Sequence, residues 1–186
     1  LAVADEHTKL MFICSPNNPT ANAFTREEIV SLIEKFDGIV VLDEAYVDFS
    51  AIASLKDLVA QYSHLIVIQT MSKAYGMAGL RVGLAISNPL IINTFRQVKY
   101  PYNIGTDTIA AALEALRAFD DRQITEIISQ RELLAVEFKK LGYVRKVWPS
   151  DANFLLVEFD DANAVYDLLL AGGVIVRNRS NVKGCE

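Results

Sequence analysis

The run Ile39-Val40-Val41-Leu42 has no alternation of apolar and polar residues, and it leads directly into Asp43-Glu44. A strand that is apolar on both faces belongs inside a parallel sheet covered by other elements. The carboxylate that follows is then set at the end of a buried strand, where a charge is costly unless something positive meets it. The other reading is an exposed strand end with Asp43 capping a turn. Asp43 and Glu44 could also pair on a metal, but no histidine lies nearby, so no metal site is expected. His7 and His64 are isolated and read as surface residues.

Two further segments repeat this pattern of an apolar run followed by polar groups. Lys9 to Cys14 reads as a strand ending in Ser15-Pro16-Asn17-Asn18-Pro19-Thr20, where Pro19 pushes Asn18 towards an extended backbone. This is either a simple turn or a rigidly held amide at a strand's carboxyl end. Leu65 to Gln69 is a β-branched run that reads as a buried strand. Between the first two strands, Thr25-Arg26-Glu27-Glu28 forms a capping box. Ile29, Leu32, Ile33 and Phe36 follow at helical spacing, and Gly38 stops the helix. A second helix is expected from Leu55 to Tyr62, a strand from Val82 to Ile86, and a helix from Pro89 to Val98. Strand–helix alternation predicts an α/β fold of parallel strands joined by helices. Parallel strands place their carboxyl ends on one edge, so Asn18, Asp43 and Lys73 are expected to converge there.

Lys73 lies in Thr70-Met71-Ser72-Lys73-Ala74-Tyr75-Gly76-Met77-Ala78-Gly79-Leu80-Arg81, just past the carboxyl end of the third strand. Ligands collect at such ends in open α/β sheets. Hydroxyls and an arginine suit a phosphate, and a lysine can serve as a nucleophilic amine. A polar loop with Lys73 solvated remains the alternative on this stretch alone.

Composition narrows the class. The 186 residues are 52% hydrophobic with a net charge of -5 and no Lys/Arg run, which argues for a substantial core and against nucleic acid or an anionic membrane as partner. The two cysteines, Cys14 and Cys185, have no paired spacing and read as free thiols of a reducing compartment, pointing to the cytoplasm. No apolar stretch reaches the ~18 residues of a membrane helix. The chain opens on Leu1 and stops in a polar run at Glu186, so a fragment is expected.

After Pro101-Tyr102-Asn103 the character changes. Helices are expected over Thr108 to Phe119 and Ile124 to Leu141, strands over Val144 to Val147, Asn153 to Phe159 and Val174 to Arg177, and a helix over Ala162 to Ala171. The boundary is placed near Asp120, dividing a large domain, 1–119, from a smaller α+β domain, 120–186.

Taken together, Ser15 to Thr20, Asp43-Glu44-Ala45-Tyr46, and Ser72-Lys73 with Arg81 resemble the pyridoxal-phosphate aminotransferases of fold type I. Within them the match is to the histidinol-phosphate aminotransferase subfamily, which Ser150-Asp151-Ala152-Asn153-Phe154 and Gly173 to Asn178 also resemble. The resemblance implies a three-layer large domain and a smaller domain, both partial, and a homodimer at full length. It implies pyridoxal 5'-phosphate held by Lys73 as a covalently attached general acid/base. Asp43 would face the ring nitrogen, Asn18 and Tyr46 the 3′ oxygen, and Thr70, Ser72 and Arg81 the phosphate. Arg177 would reach a substrate anion, or else be a solvated strand-end arginine. The implied reaction moves an amino group between L-glutamate and imidazole acetol phosphate. A decarboxylase of a phosphorylated amino acid and a non-enzymatic effector-binding module of a transcription regulator are the alternatives. The family usually has glycine where Ala21 stands. It also has an earlier segment with a phosphate-binding loop and a ring-stacking aromatic, and a later substrate-gripping arginine, so the isolated segment is expected to be inactive.

Overall fold

A computed structural model describes residues 4–185. Four strands form the main sheet in the order β1 (Leu10–Cys14), β2 (Ile39–Asp43), β3 (Leu65–Thr70) and β4 (Gly83–Ser87). The first three run parallel, and β4 pairs antiparallel with β3. Helix α1 (Arg26–Lys35) crosses between β1 and β2. Its capping box is complete: the Thr25 hydroxyl accepts from the Glu28 amide at 3.2 Å, and the Glu28 carboxylate accepts from the Thr25 amide at 2.8 Å.

The core lies on the α1 side of the sheet. Ile29, Ile33 and Phe36 pack onto Ile13, Val40, Leu42, Leu65 and Val67, with Leu55 and Leu58 closing the cluster. Gly38 lets β2 start there, because a side chain at this position would lie 2.6 Å from the Phe36 ring and 2.8 Å from the Lys9 carbonyl oxygen. On β1 the opposite face leaves Leu10 and Phe12 exposed.

Several expectations change. The helix expected over Leu55 to Tyr62 is a 3₁₀ turn, Lys56–Ala60. The Leu55 amide is taken by the Glu44 carboxylate at 2.7 Å, and bonds such as Leu58 N–H to the Leu55 carbonyl at 2.9 Å have the tighter spacing. Second, no strand forms over 174–177 among the described residues. Gly173 turns left-handed at φ 79°, the Val174 amide donates back to the Leu169 carbonyl at 2.8 Å, and the following residues are left exposed without a ladder partner. Third, His64 is half-buried rather than a free surface group, with Nε2 3.2 Å from the Ile33 carbonyl oxygen.

The remaining helices are α2 (Pro89–Val98), α3 (Thr106–Arg117), α4 (Arg122–Phe138) and α5 (Ala162–Ala171). Strands β5 (Val144–Val147) and β6 (Val157–Phe159) form a separate antiparallel pair. Strand β6 is shorter than the expected Asn153 to Phe159. Ser150 folds the preceding residues into a turn, its hydroxyl donating to the Phe154 carbonyl at 2.6 Å and accepting from the Ala152 amide at 3.1 Å. Among the described residues, no helix is long and apolar enough to cross a membrane.

Candidate functional site

Parallel pairing sets Cys14, Asp43 and Ile68 side by side at the carboxyl edge of the sheet. Each loop leaving that edge carries a residue singled out in the sequence. The two adjacent carboxylates there have different surroundings. Glu44 is 2% exposed and accepts from three neutral donors: the Ser54 hydroxyl, the Leu55 amide and the Gln69 amide group. It is therefore satisfied without a cation and ties the end of β2 to the end of β3. Asp43 is half-buried, and one oxygen accepts from the Ala45 amide at 2.9 Å. Neither carboxylate has an ion-pair partner among the described residues. Burial, with the Asp43 charge as a second cause, raises the neighbouring Cys14 thiol above its ordinary pKa and keeps it in the unreactive neutral form.

Asn18, Tyr46 and Lys73 come together. The Asn18 amide donates to the Tyr46 hydroxyl oxygen at 3.2 Å. The Lys73 ammonium lies 5.1 Å from the centre of the Tyr46 ring, within cation–π range. Lys73 is exposed and has no carboxylate partner among the described residues.

The loop from Thr70 to Arg81 is braced by its own bonds and by packing of Met71, Met77 and Tyr75 on Ala112 of α3 and on Phe119. The Thr70 hydroxyl accepts from the Ser72 amide at 3.1 Å and lies 3.4 Å from the Val82 carbonyl. The Met71 amide donates to the Val82 carbonyl at 3.1 Å, and Met71, Ala74 and Met77 are buried beneath the loop. Arg81 stands in the left-handed region at φ 57°, with its guanidinium donating to the Ala78 carbonyl at 2.8 Å.

An open cleft of about 1620 Å³ has Asn18, Tyr46 and Lys73 on one wall and parts of α4, β6, α5 and the 174–180 segment on the other. Arg177 is exposed and lines it. Asp43, Thr70, Ser72 and Arg81 lie outside its lining. The sequence reading missed Arg179, whose guanidinium lies 3.4 Å from the Asn18 side-chain oxygen. Both Arg177 and Arg179 line the cleft, and nothing in the local sequence singled out the second, whose contact with Asn18 spans most of the chain. The sequence reading also missed the edge of the Phe154 ring packed on Tyr46 at 5.2 Å, a contact over a hundred residues apart that no local pattern announces.

Comparison with known proteins bears on the family and the fold. The model for aminotransferase class I and II matches residues 2–184. Histidinol-phosphate aminotransferase of Flavobacterium johnsoniae is 43% identical over 188 residues, covering 100% of this chain and 54% of the relative. The chain thus spans about half the length of the curated relatives it matches. Among solved structures, histidinol-phosphate aminotransferase of Sinorhizobium meliloti in complex with pyridoxal-5'-phosphate superposes with a TM-score of 0.82 at 26% identity, over 92% of this chain and 49% of that one. L-threonine-O-3-phosphate decarboxylase of Porphyromonas gingivalis superposes at 0.80 with 26% identity, over 99% and 59%. The fold is that of the fold type I enzymes, and with its family model matched almost end to end, the chain belongs to the class I and II aminotransferases.

Proposed function

We propose that this chain forms the cofactor-proximal part of a pyridoxal-phosphate-dependent aminotransferase that moves an amino group between L-glutamate and imidazole acetol phosphate. The observation that carries the reading is the Lys73 amine, unpaired by any carboxylate among the described residues, beside Tyr46 and Asn18 on the wall of one cleft. Pyridoxal phosphate supplies an aldehyde for a lysine and a protonated pyridine ring that withdraws electrons from the substrate α-carbon.

The donor set fits such a group. Lys73 offers the amine for the aldehyde and can then move a proton at the substrate α-carbon. Asp43 places a carboxylate without an ion-pair partner at the strand end, where it would keep a ring nitrogen protonated. Asn18 and Tyr46 present donors suited to a phenolate-like 3′ oxygen. Thr70, Ser72 and Arg81 are the hydroxyl and guanidinium set suited to the phosphate, and Arg81 can exchange its bond to the Ala78 carbonyl for a charge-assisted fork. Arg177, with Arg179 beside it, would receive the substrate's anionic group.

The remaining assignments follow the same resemblance. A large unit over 1–119 and a small one over 120–186 are supported by the two separate sheets. A homodimer is supported by the exposed Tyr100, Tyr102 and Ile109. A cytoplasmic setting is supported by the free thiols.

The likeness to the threonine-phosphate decarboxylase favours one second reading, loss of carbon dioxide from a phosphorylated amino acid. Rapid mixing of the full-length pyridoxal-phosphate protein with each substrate separates the two. The proposal expects histidinol phosphate to discharge the cofactor's absorbance faster than aliphatic amino acids at equal concentration. Preference for phosphothreonine with release of carbon dioxide would overturn it in favour of the decarboxylase.

A further inference from the structure

Asn18 is exposed, and its side chain is steadied by two long contacts, 3.2 Å to Tyr46 and 3.4 Å from Arg179. Its position must therefore come from the backbone of its loop. That loop closes on itself, with the Asn17 amide donating to the Asn22 carbonyl at 2.9 Å and the Ala21 amide donating to the Asn17 carbonyl at 2.7 Å. Closure forces Ala21 into the left-handed region at φ 63° with its side chain fully buried. An alanine pays for that conformation where a glycine would not, so something must hold it.

The holding group comes from far along the chain. The Asp151 amide donates to the Ala21 carbonyl at 2.7 Å, and the Asp151 carboxylate accepts from the Ala23 amide at 2.9 Å. The next residue, Ala152, is fully buried, and its carbonyl accepts from Arg131 of α4 at 2.8 Å. The same guanidinium nitrogen also donates to the Phe49 carbonyl at 3.2 Å, so Arg131 pins the 150–154 turn to the segment just after Tyr46. Phe154 of that turn packs against the Tyr46 ring. One turn thus holds the backbone behind Asn18 and the ring of its partner.

We propose that Asp151 is a positioning residue that sets the Asn18 amide in register with Tyr46, and that it does so by fixing the left-handed bend at Ala21. The inference rests on the reading of Asn18 as a donor to the cofactor's 3′ oxygen. A donor there steadies the deprotonated form of the bound cofactor, so its loss raises the pH midpoint of the cofactor's absorbance change.

The test uses the full-length pyridoxal-phosphate protein and three variants, each titrated by absorbance. Asn18→Ala is expected to raise the midpoint by about one unit, the worth of one hydrogen bond to a charged group. Asp151→Ala should move it the same way by at least half as much. Asp151→Asn, which keeps a side-chain oxygen for the Ala23 amide, should restore the wild-type midpoint. If Asp151→Ala does not fold, Asp151→Ser, too short to span to Ala23, takes its place with the same expectation. An Asp151 variant that melts lower but keeps the wild-type midpoint, while Asn18→Ala shifts it, overturns the positioning role and leaves the cofactor site standing. A wild-type protein without a bound-cofactor spectrum, or an Asn18→Ala without a shift, overturns the functional reading and this inference with it.

Discussion

The loop after β1 and the loop after β3 leave the same edge of the sheet, yet they lean on different parts of the chain and by different contacts. The Lys73 loop is braced by its own bonds, with Thr70 accepting from Ser72, Met71 bonded to Val82 and Arg81 closing on Ala78, and it packs through Met71, Met77 and Tyr75 on Ala112 of α3 and on Phe119. The Asn18 loop also closes on itself, through Asn17 with Ala21 and Asn22, and is held in addition by Asp151 and, through Phe154 on Tyr46, by the 150–154 turn. Each loop contains one non-glycine residue at positive φ, Arg81 at 57° and Ala21 at 63°. The difference is that Arg81 is exposed and Ala21 is fully buried. Residues 112–119 reach the Lys73 loop by apolar packing, whereas Asp151 reaches the Asn18 loop by hydrogen bonds.

The largest break in this comparison comes from the residue both loops share as a neighbour. The Asp43 carbonyl accepts from the Ser15 amide at 2.9 Å and Asp43 pairs with Ile68 in the ladder to β3, so Asp43→Ala keeps these backbone contacts while removing the carboxylate. Turnover of the full-length protein should fall by about a hundredfold or more, with cofactor binding weakened less. Steady-state kinetics beside a cofactor titration would check this, and unchanged turnover would mean that the ring nitrogen is paired elsewhere.

Next in size is Glu44→Ala. It leaves the Leu55 amide and the Ser54 hydroxyl without their acceptor at the ends of β2 and β3, and leaves the Gln69 amide group only the Ser54 hydroxyl oxygen at 3.0 Å. Thermodynamic stability should drop by about 2–3 kcal/mol, measured by denaturant unfolding. A loss below about 0.5 kcal/mol would show that these donors find water instead.

The two left-handed residues sharpen the comparison. Arg81→Gly relieves the backbone at an exposed site and should stabilise the protein by up to about 1 kcal/mol while weakening phosphate binding. At Ala21, relief of about 1–2 kcal/mol is offset by a buried methyl worth about 0.8 and by the freedom glycine adds to the unfolded chain. Ala21→Gly should thus be neutral within about 1 kcal/mol. A gain at Ala21 clearly larger than the gain at Arg81 would contradict the distinction drawn between the two residues.

The smallest effect is at Asp48, whose carboxyl pKa is raised by burial first and by the Glu44 charge second. A raised carboxyl favours the protonated form when folded, so the charged form costs stability above the folded pKa. That cost fades as the pH falls through the folded pKa and is gone below the unfolded value. Asp48→Asn should therefore stabilise at neutral pH and lose its advantage in acid, as paired melting curves would show.

Periodicity and caps make β1, α1, β2 and β3 legible in the sequence, because their signals are local: Thr25 with Glu28, the unbroken Ile39 to Leu42 run, and the apolar spacing of Ile29, Ile33 and Phe36. The segment 55–62 misleads because its helical spacing competes with Glu44, which claims the Leu55 amide. The stretch 174–177 has the composition of a strand but no partner to form a ladder, and composition alone cannot supply one. In the site, Lys73, Asn18 and Tyr46 are readable from motifs at strand ends. Asp151, Phe154 and Arg131 are not, because their roles exist only after chain segments far apart in sequence have met.

The central claim is that the amine of Lys73 holds the cofactor. Borohydride reduction of the full-length protein incubated with pyridoxal phosphate, followed by peptide mass mapping, tests it most directly. The account predicts a single pyridoxyl label on Lys73. A label on Lys56 or Lys99, with none on Lys73, would contradict it.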